Sequence, residues 1–130
     1  MSHVRVVLDT TALLAYSRLR GMATAELVAM VEEEGGAALV GIPAASFLAA
    51  YQQLEEDEQE RLVRLATKVE GVTVILPLTG ADTIEAAQIG PDMGHAIIEA
   101  RRRNSYLATY DGPQALRELP PRRVLQLEDE

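Results

Sequence analysis

Asp9, Asp92 and Asp111 are the residues of this chain best placed to do chemistry. Asp9 closes the apolar run Val4-Arg-Val-Val-Leu8 and is followed by two hydroxyl residues, Thr10 and Thr11. Asp92 stands just after Gly90-Pro91, where a helical pattern begins, and Asp111 follows the short segment Tyr106-Leu-Ala-Thr109. Carboxylate oxygens suit hard cations such as Mg²⁺ or Mn²⁺. A cation of that kind lowers the pKa of a bound water and polarises a phosphoryl oxygen. Each acid also has a plainer reading. Asp9 is a natural helix N-cap, Asp92 complements a helix dipole, and Asp-Gly at 111–112 is a common turn.

Chemistry needs the three acids on one edge of a scaffold, and the hydrophobic pattern provides one. Apolar runs at His3–Leu8, Ala37–Ile42, Val72–Leu76, Tyr106–Thr109 and Val124–Leu127 read as five short strands. Helical patterns lie between them. Thr11–Arg20 is a helix ended by Gly21, and a second opens at Thr24 with Leu27, Val28, Met30 and Val31 as its apolar stripe. Ala44–Leu54 reads as an alanine-rich helix with Phe47, Leu48, Tyr51 and Leu54 on one side. The acidic run Glu55–Glu58 reads as a solvated break before a helix whose Leu62, Val63, Leu65, Ala66 and Val69 face inward, with Gly71 as its C-cap. Thr79 caps a short helix over Gly80–Ile89, Pro91 opens a longer one ended by Asn104, and a helical turn forms near Ala115-Leu116. Glu128 to Glu130 is a frayed acidic end. Strands that alternate with helices make a parallel sheet covered on both faces, an α/β fold. In such a sheet the strand ends and the starts of the following helices share one edge, so Asp9, Asp92 and Asp111 can meet there.

Composition narrows the class. A chain of 130 residues with 48% hydrophobic and 25% charged residues is expected to be one globular domain, 1–130. The absence of cysteine excludes disulfides, thiolate chemistry and a Cys-based zinc site. A net charge of −8 argues against a broadly basic nucleic-acid surface but not against an acidic metal site. With no tryptophan and one phenylalanine, Phe47, base stacking would fall to four tyrosines. No apolar segment is long enough to span a membrane and no signal-like start is present, so a cytoplasmic protein is expected. No glycine-rich phosphate loop follows the first strand, which leaves the usual nucleotide fold without support.

The ordered set Val-Val-Leu-Asp9-Thr-Thr-Ala-Leu-Leu, Pro91-Asp92-Met-Gly-His95-Ala-Ile-Ile and Tyr106-Leu-Ala-Thr109-Tyr-Asp111 resembles the PIN-domain family. Within it the chain resembles the VapC-like proteins of bacterial toxin–antitoxin modules. The resemblance covers almost the whole chain. It implies a three-layer α/β/α PIN-like fold with a central, mostly parallel sheet of about five strands. It implies a Mg²⁺- or Mn²⁺-dependent endoribonuclease that hydrolyses RNA phosphodiesters, with Asp9, Asp92 and Asp111 as metal ligands and Thr109 as the polar residue that orients ligands or water. It also implies an antitoxin-like protein partner and a homodimer.

One position departs from the family pattern. The family places a glutamate on the helix after strand two, and that position falls here at Ala49, or at Ala50 if the alignment slips. Neither alanine can bind a cation. On a continuous helix Glu56 would share a face with Ala49 about 10 Å further along, and Glu55 would point away. Losing one carboxylate weakens metal binding. The expected function is therefore a weakened nuclease; the alternative is a degenerate, non-catalytic binding module acting through a protein partner or RNA.

Other residues have bland readings that outweigh the sharp ones. His95 among Ala96, Ile97 and Ile98 is expected to be a packed or capping histidine rather than a ligand. Glu99 is expected in a solvated face or an ion pair with Arg102 or Arg103. Arg101–Arg103 suit a helix C-terminus. With Arg18 and Arg20 they become phosphate contacts if the chain cleaves RNA.

Overall fold

The computed structural model describes residues 3–20, 22–67 and 71–128. Gly21, the expected helix end, and Val69, an expected core residue, lie outside the described residues, as do the last two residues of the acidic end.

The valine- and leucine-rich runs form five strands: β1 (His3–Leu8), β2 (Ala38–Pro43), β3 (Thr73–Leu76), β4 (Tyr106–Thr109) and β5 (Val124–Gln126). They make one all-parallel sheet in the order β3-β2-β1-β4-β5. From the central β1 the chain builds outward to β2 and β3, then returns to add β4 and β5 on the other side. The strand order thus reverses between β1 and β4. Open α/β sheets bind ligands in the crevice outside the carboxyl ends of strands at such a point.

Helices cover both faces. On one lie α1 (Thr10–Ser17), α2 (Ala23–Glu32), α3 (Ala44–Gln52) and α4 (Glu56–Ala66). Their Leu13, Val28, Val31, Leu62 and Leu65 pack on Val6, Leu8, Val40 and Ile42 of the sheet. Beyond the other face lie α5 (Thr83–Ile89), α6 (Pro91–Arg103) and α7 (Gly112–Leu116). There Met93, Ala96, Ile97 and Ala115 pack on Val4, Val7 and Leu107. Burying a side chain such as Leu13 or Ile97 contributes about 1.5–3 kcal/mol. Val4 and Val6 would share a face in a regular strand. They serve opposite cores because the β1–β2 register shifts between them.

Several expectations about helix faces need correction. Leu48 is 61% exposed and Tyr51 is exposed, while the same helix buries Ser46 and Ala50. Small residues let α3 lie close to α1 and α6. Met30 and Val63 also point outward rather than into the core. The acidic run is solvent-facing as expected, but it forms the N-cap and first turn of α4 rather than a break. Glu55 N donates to Glu58 Oε1 at 2.9 Å, a cap for the first turn of α4. The helix before it ends at Gln52, so Ala49 and Glu56 do not share a continuous helix. The expected helix over Gly80–Ile89 is a 3₁₀ turn at Gly80–Asp82 followed by α5. Thr67, not Gly71, caps α4.

Gly94 is where α5 and α6 touch. A Cβ there would lie 2.3 Å from the Ala86 carbonyl oxygen, so only glycine lets the two backbones meet.

Candidate active site

Asp9 leaves β1 at its carboxyl end and becomes the N-cap of α1. Its Oδ1 accepts the Ala12 amide at 3.0 Å and the Thr11 hydroxyl at 2.7 Å. Its Oδ2 accepts the Thr109 hydroxyl at 2.5 Å. The β1–β4 register sets this pairing. Leu8 stands beside Ala108, and one step on Asp9 stands beside Thr109. The candidate site residue is therefore also a helix cap.

Two threonine hydroxyls tie β4 to the start of α1. Thr109 Oγ1 accepts the Asp111 amide at 2.8 Å, and Thr11 Oγ1 accepts the Tyr110 amide at 2.9 Å. Asp111 is the N-cap of α7, and its Oδ1 accepts the Gln114 amide at 3.3 Å. The third acid, Asp92, enters from the first turn of α6. Its Oδ2 accepts the Thr10 hydroxyl, and its main-chain carbonyl accepts the Ser46 hydroxyl at 3.1 Å. Asp9 and the backbone of Asp111 thus share the Thr109 hydroxyl, while Asp92 is held separately by Thr10, the residue after Asp9.

Asp9 is almost fully buried. Burial pushes its carboxyl pKa up from the ordinary 3.8, and the negative charge of Asp92 adds to that. The hydrogen bonds from Thr109, Thr11 and Ala12 oppose the rise without cancelling it.

A hard divalent cation suits the donor chemistry, since the cluster is all oxygen. It would also offset the burial of Asp9 and its repulsion by Asp92. The carboxylates are nevertheless kept to separate partners. Among the described residues, no three His, Asp or Glu side chains converge as a metal-ligating group. Ala49 supplies no fourth acid, and Glu55 and Glu56 are exposed.

His95 is a packed, capping histidine, as its neighbours predict. It is fully buried, and its Nδ1 accepts the Ala45 amide at 3.2 Å. It thereby caps α3, whose own N-cap residue, Pro43, makes no side-chain cap bond. Nε2 then carries the proton, with the Pro77 carbonyl and Glu99 Oε2 each 3.3 Å away. Glu99 is buried rather than solvated, and it pairs with Arg103 at 3.0 Å and Arg102 at 3.6 Å. Arg102 also binds Asp82, and Arg101 pairs with Glu85, so the basic cluster is met by acids of its own chain. Arg18 reaches the Gln53 carbonyl.

Sequence reasoning missed Ser46. A lone hydroxyl one turn into an alanine-rich helix was its only signal, and it proves to hold the backbone of Asp92.

No family model and no curated protein matches this chain. Among solved structures, a chain in the crystal structure of VapBC2 from Rickettsia felis, bound to a DNA fragment from their promoter, is similar in fold. The TM-score is 0.69 at 10% identity, over 98% of this chain and 100% of that one. The fold is therefore PIN-like: a five-stranded parallel sheet between two helical layers. Among the described residues, no helix is long and apolar enough to cross a membrane.

Proposed function

We propose that the chain is a PIN-type endoribonuclease that depends on Mg²⁺ or Mn²⁺ and binds that cation weakly. The observation that supports this reading is that Thr109 bonds both the Asp9 carboxylate and the Asp111 amide at the β1–β4 switch point, with Asp92 held by the adjacent Thr10. Those acids would hold the cation, which supplies a polarised phosphodiester and a more acidic water. The chain's own contribution is orientation. Thr11 and Ala12 fix one oxygen of Asp9 and Thr109 fixes the other. Thr109 also receives the Asp111 amide, which makes it a positioning residue for two acids. Ala49 removes one negative charge from the pattern the fold resembles, and that is the source of the weak affinity.

A second reading is favoured by the same alanine and by the separate partners of the three carboxylates. In it the fold is a non-catalytic module that acts through a protein partner or by holding RNA. An antitoxin-like partner and a homodimer accompany either reading, supported by likeness to a chain of a VapBC complex. Light scattering on the purified protein reads the dimer.

The deciding experiment is Mn²⁺-dependent cleavage of single-stranded RNA by the parent and by an Asp9→Asn, Asp111→Asn double variant. Cleavage is expected in the parent and lost in the variant. A variant that cuts at the parental rate sinks the nuclease. A folded parent that neither cuts RNA nor gains thermal stability from millimolar Mn²⁺ selects the non-catalytic module.

A further inference from the structure

A cavity of about 480 Å³ opens among α5, α6 and α7, within the size range of small-ligand sites. Its Gln114 end lies beside Asp111. Ile89 and Gln114 line it there, three residues before Asp92 and three after Asp111. The Asp111 carboxylate accepts the Gln114 amide. A Cβ on Gly90 would sit 3.8 Å from Gln114 Nε2, so that carboxamide lies beside the turn leading into Asp92.

The rest of the lining has a definite chemistry. Glu85 and Glu118 both face Arg101, at 3.3 and 4.0 Å, so its charge is already shared. Arg117 also lines the cavity, and among the described residues no carboxylate pairs with its guanidinium. Gln88 joins Gln114 as a second carboxamide. One apolar side chain, two groups that both donate and accept, and one cation suit the face of a base, its edge and a phosphate.

We infer that this cavity is a subsite for one nucleotide of a single-stranded RNA whose neighbouring phosphate lies at the acids. The base rests against Ile89, the carboxamides of Gln88 and Gln114 meet its edge, and Arg117 pairs with its phosphate. Glu85 and Glu118 would repel a second phosphate, which limits the subsite to one nucleotide. The assignment rests on RNA being the substrate or ligand.

The test is ultraviolet crosslinking of a decanucleotide RNA carrying 4-thiouridine to the metal-free protein, with the crosslinked peptides mapped by mass spectrometry. Crosslinks are expected on the segments bearing Gln88-Ile89 and Gln114 to Arg117. Arg117→Glu should lower their yield about tenfold, through the lost charge-assisted contact. Gln114→Ala should lower it less, and the melting temperature of both variants controls for folding. Crosslinks confined to other segments, an unchanged yield in Arg117→Glu, or no crosslinking would each overturn the subsite. Mn²⁺-dependent cleavage is measured in parallel. A parent that cleaves RNA but crosslinks elsewhere loses the subsite and keeps the nuclease. A parent that crosslinks here without cleaving keeps the subsite as an RNA-holding site and loses the nuclease.

Discussion

The Thr109 hydroxyl donates to Asp9 Oδ2 across 100 positions of sequence, joining the ends of two adjacent parallel strands. The same oxygen accepts the amide of Asp111. One buried hydroxyl therefore sets the relation between two acids, as donor to one carboxylate and acceptor for the backbone of the other. Its place follows from topology, because β1 and β4 are where the strand order reverses.

Thr109→Val keeps the shape and removes both bonds. It leaves a buried carboxylate oxygen short of a donor and the Asp111 amide without its acceptor. Such unmet groups cost about 1–3 kcal/mol each. Urea unfolding should show a loss of about 2–6 kcal/mol for the two together, and Thr109→Ser should recover most of it. Equal stability of the valine variant and the parent would mean that the hydroxyl holds neither acid.

Asp9→Asn separates burial from function. Burial raises the folded-state pKa of Asp9 above 3.8. Between 3.8 and that raised value the folded state binds more protons than the unfolded one. Stability from this group therefore falls as pH rises through the window and stays low above it. Asparagine carries no charge and still caps α1. The variant should melt above the parent at pH 7, and the gap should close as pH falls below 3.8. A variant that melts below the parent at pH 7, with the gap closing in acid, would show that hydrogen bonds to the charged form outweigh desolvation.

The sequence made the sheet and the position of Asp9 legible for one reason. Consecutive valines that end in Asp-Thr-Thr leave little choice but a buried strand followed by a capped helix. The orientation of α3 was not legible, because it buries Ser46 and Ala50 and exposes Leu48 and Tyr51. Close helix packing there selects small residues over large ones, and apolar spacing does not report that. For Glu99 the pairing with Arg102 or Arg103 was legible and the burial was not. Flanking arginines suggest a solvated face, yet they reach back to the buried carboxylate. The three acids could be placed on one edge, but their partners could not. Thr10 with Asp92 and Ser46 with the Asp92 carbonyl are contacts between elements far apart in the chain.

Ala49→Glu tests whether the missing carboxylate limits cation binding. Ala49 lies three residues after Ser46, on the helix face that meets Asp92. A glutamate there adds a third negative charge near Asp9 and Asp92, so without cation the variant should melt below the parent. With Mn²⁺ it should gain more than the parent gains. A hundredfold excess of cation over its dissociation constant corresponds to about 2.7 kcal/mol. Equal Mn²⁺-induced shifts in variant and parent would show that α3 does not face the cation.

Gly94→Ala should disturb the site through packing alone. The new methyl would meet the Ala86 carbonyl oxygen and Cα, which are backbone atoms of α5 and cannot rotate away. The helices must separate, at about 1–3 kcal/mol. Gly94 lies two residues after Asp92, so the separation also shifts the turn that presents this acid to Thr10. Gly80→Ala is the control, because a Cβ there meets nothing within 4 Å. Urea unfolding should show a clear loss for Gly94→Ala and none for Gly80→Ala. In any cation-dependent readout, the Gly94 variant should be impaired even where it is fully folded. A Gly94 variant as stable as the control would mean that α5 yields freely, and that the contact plays no part in placing Asp92.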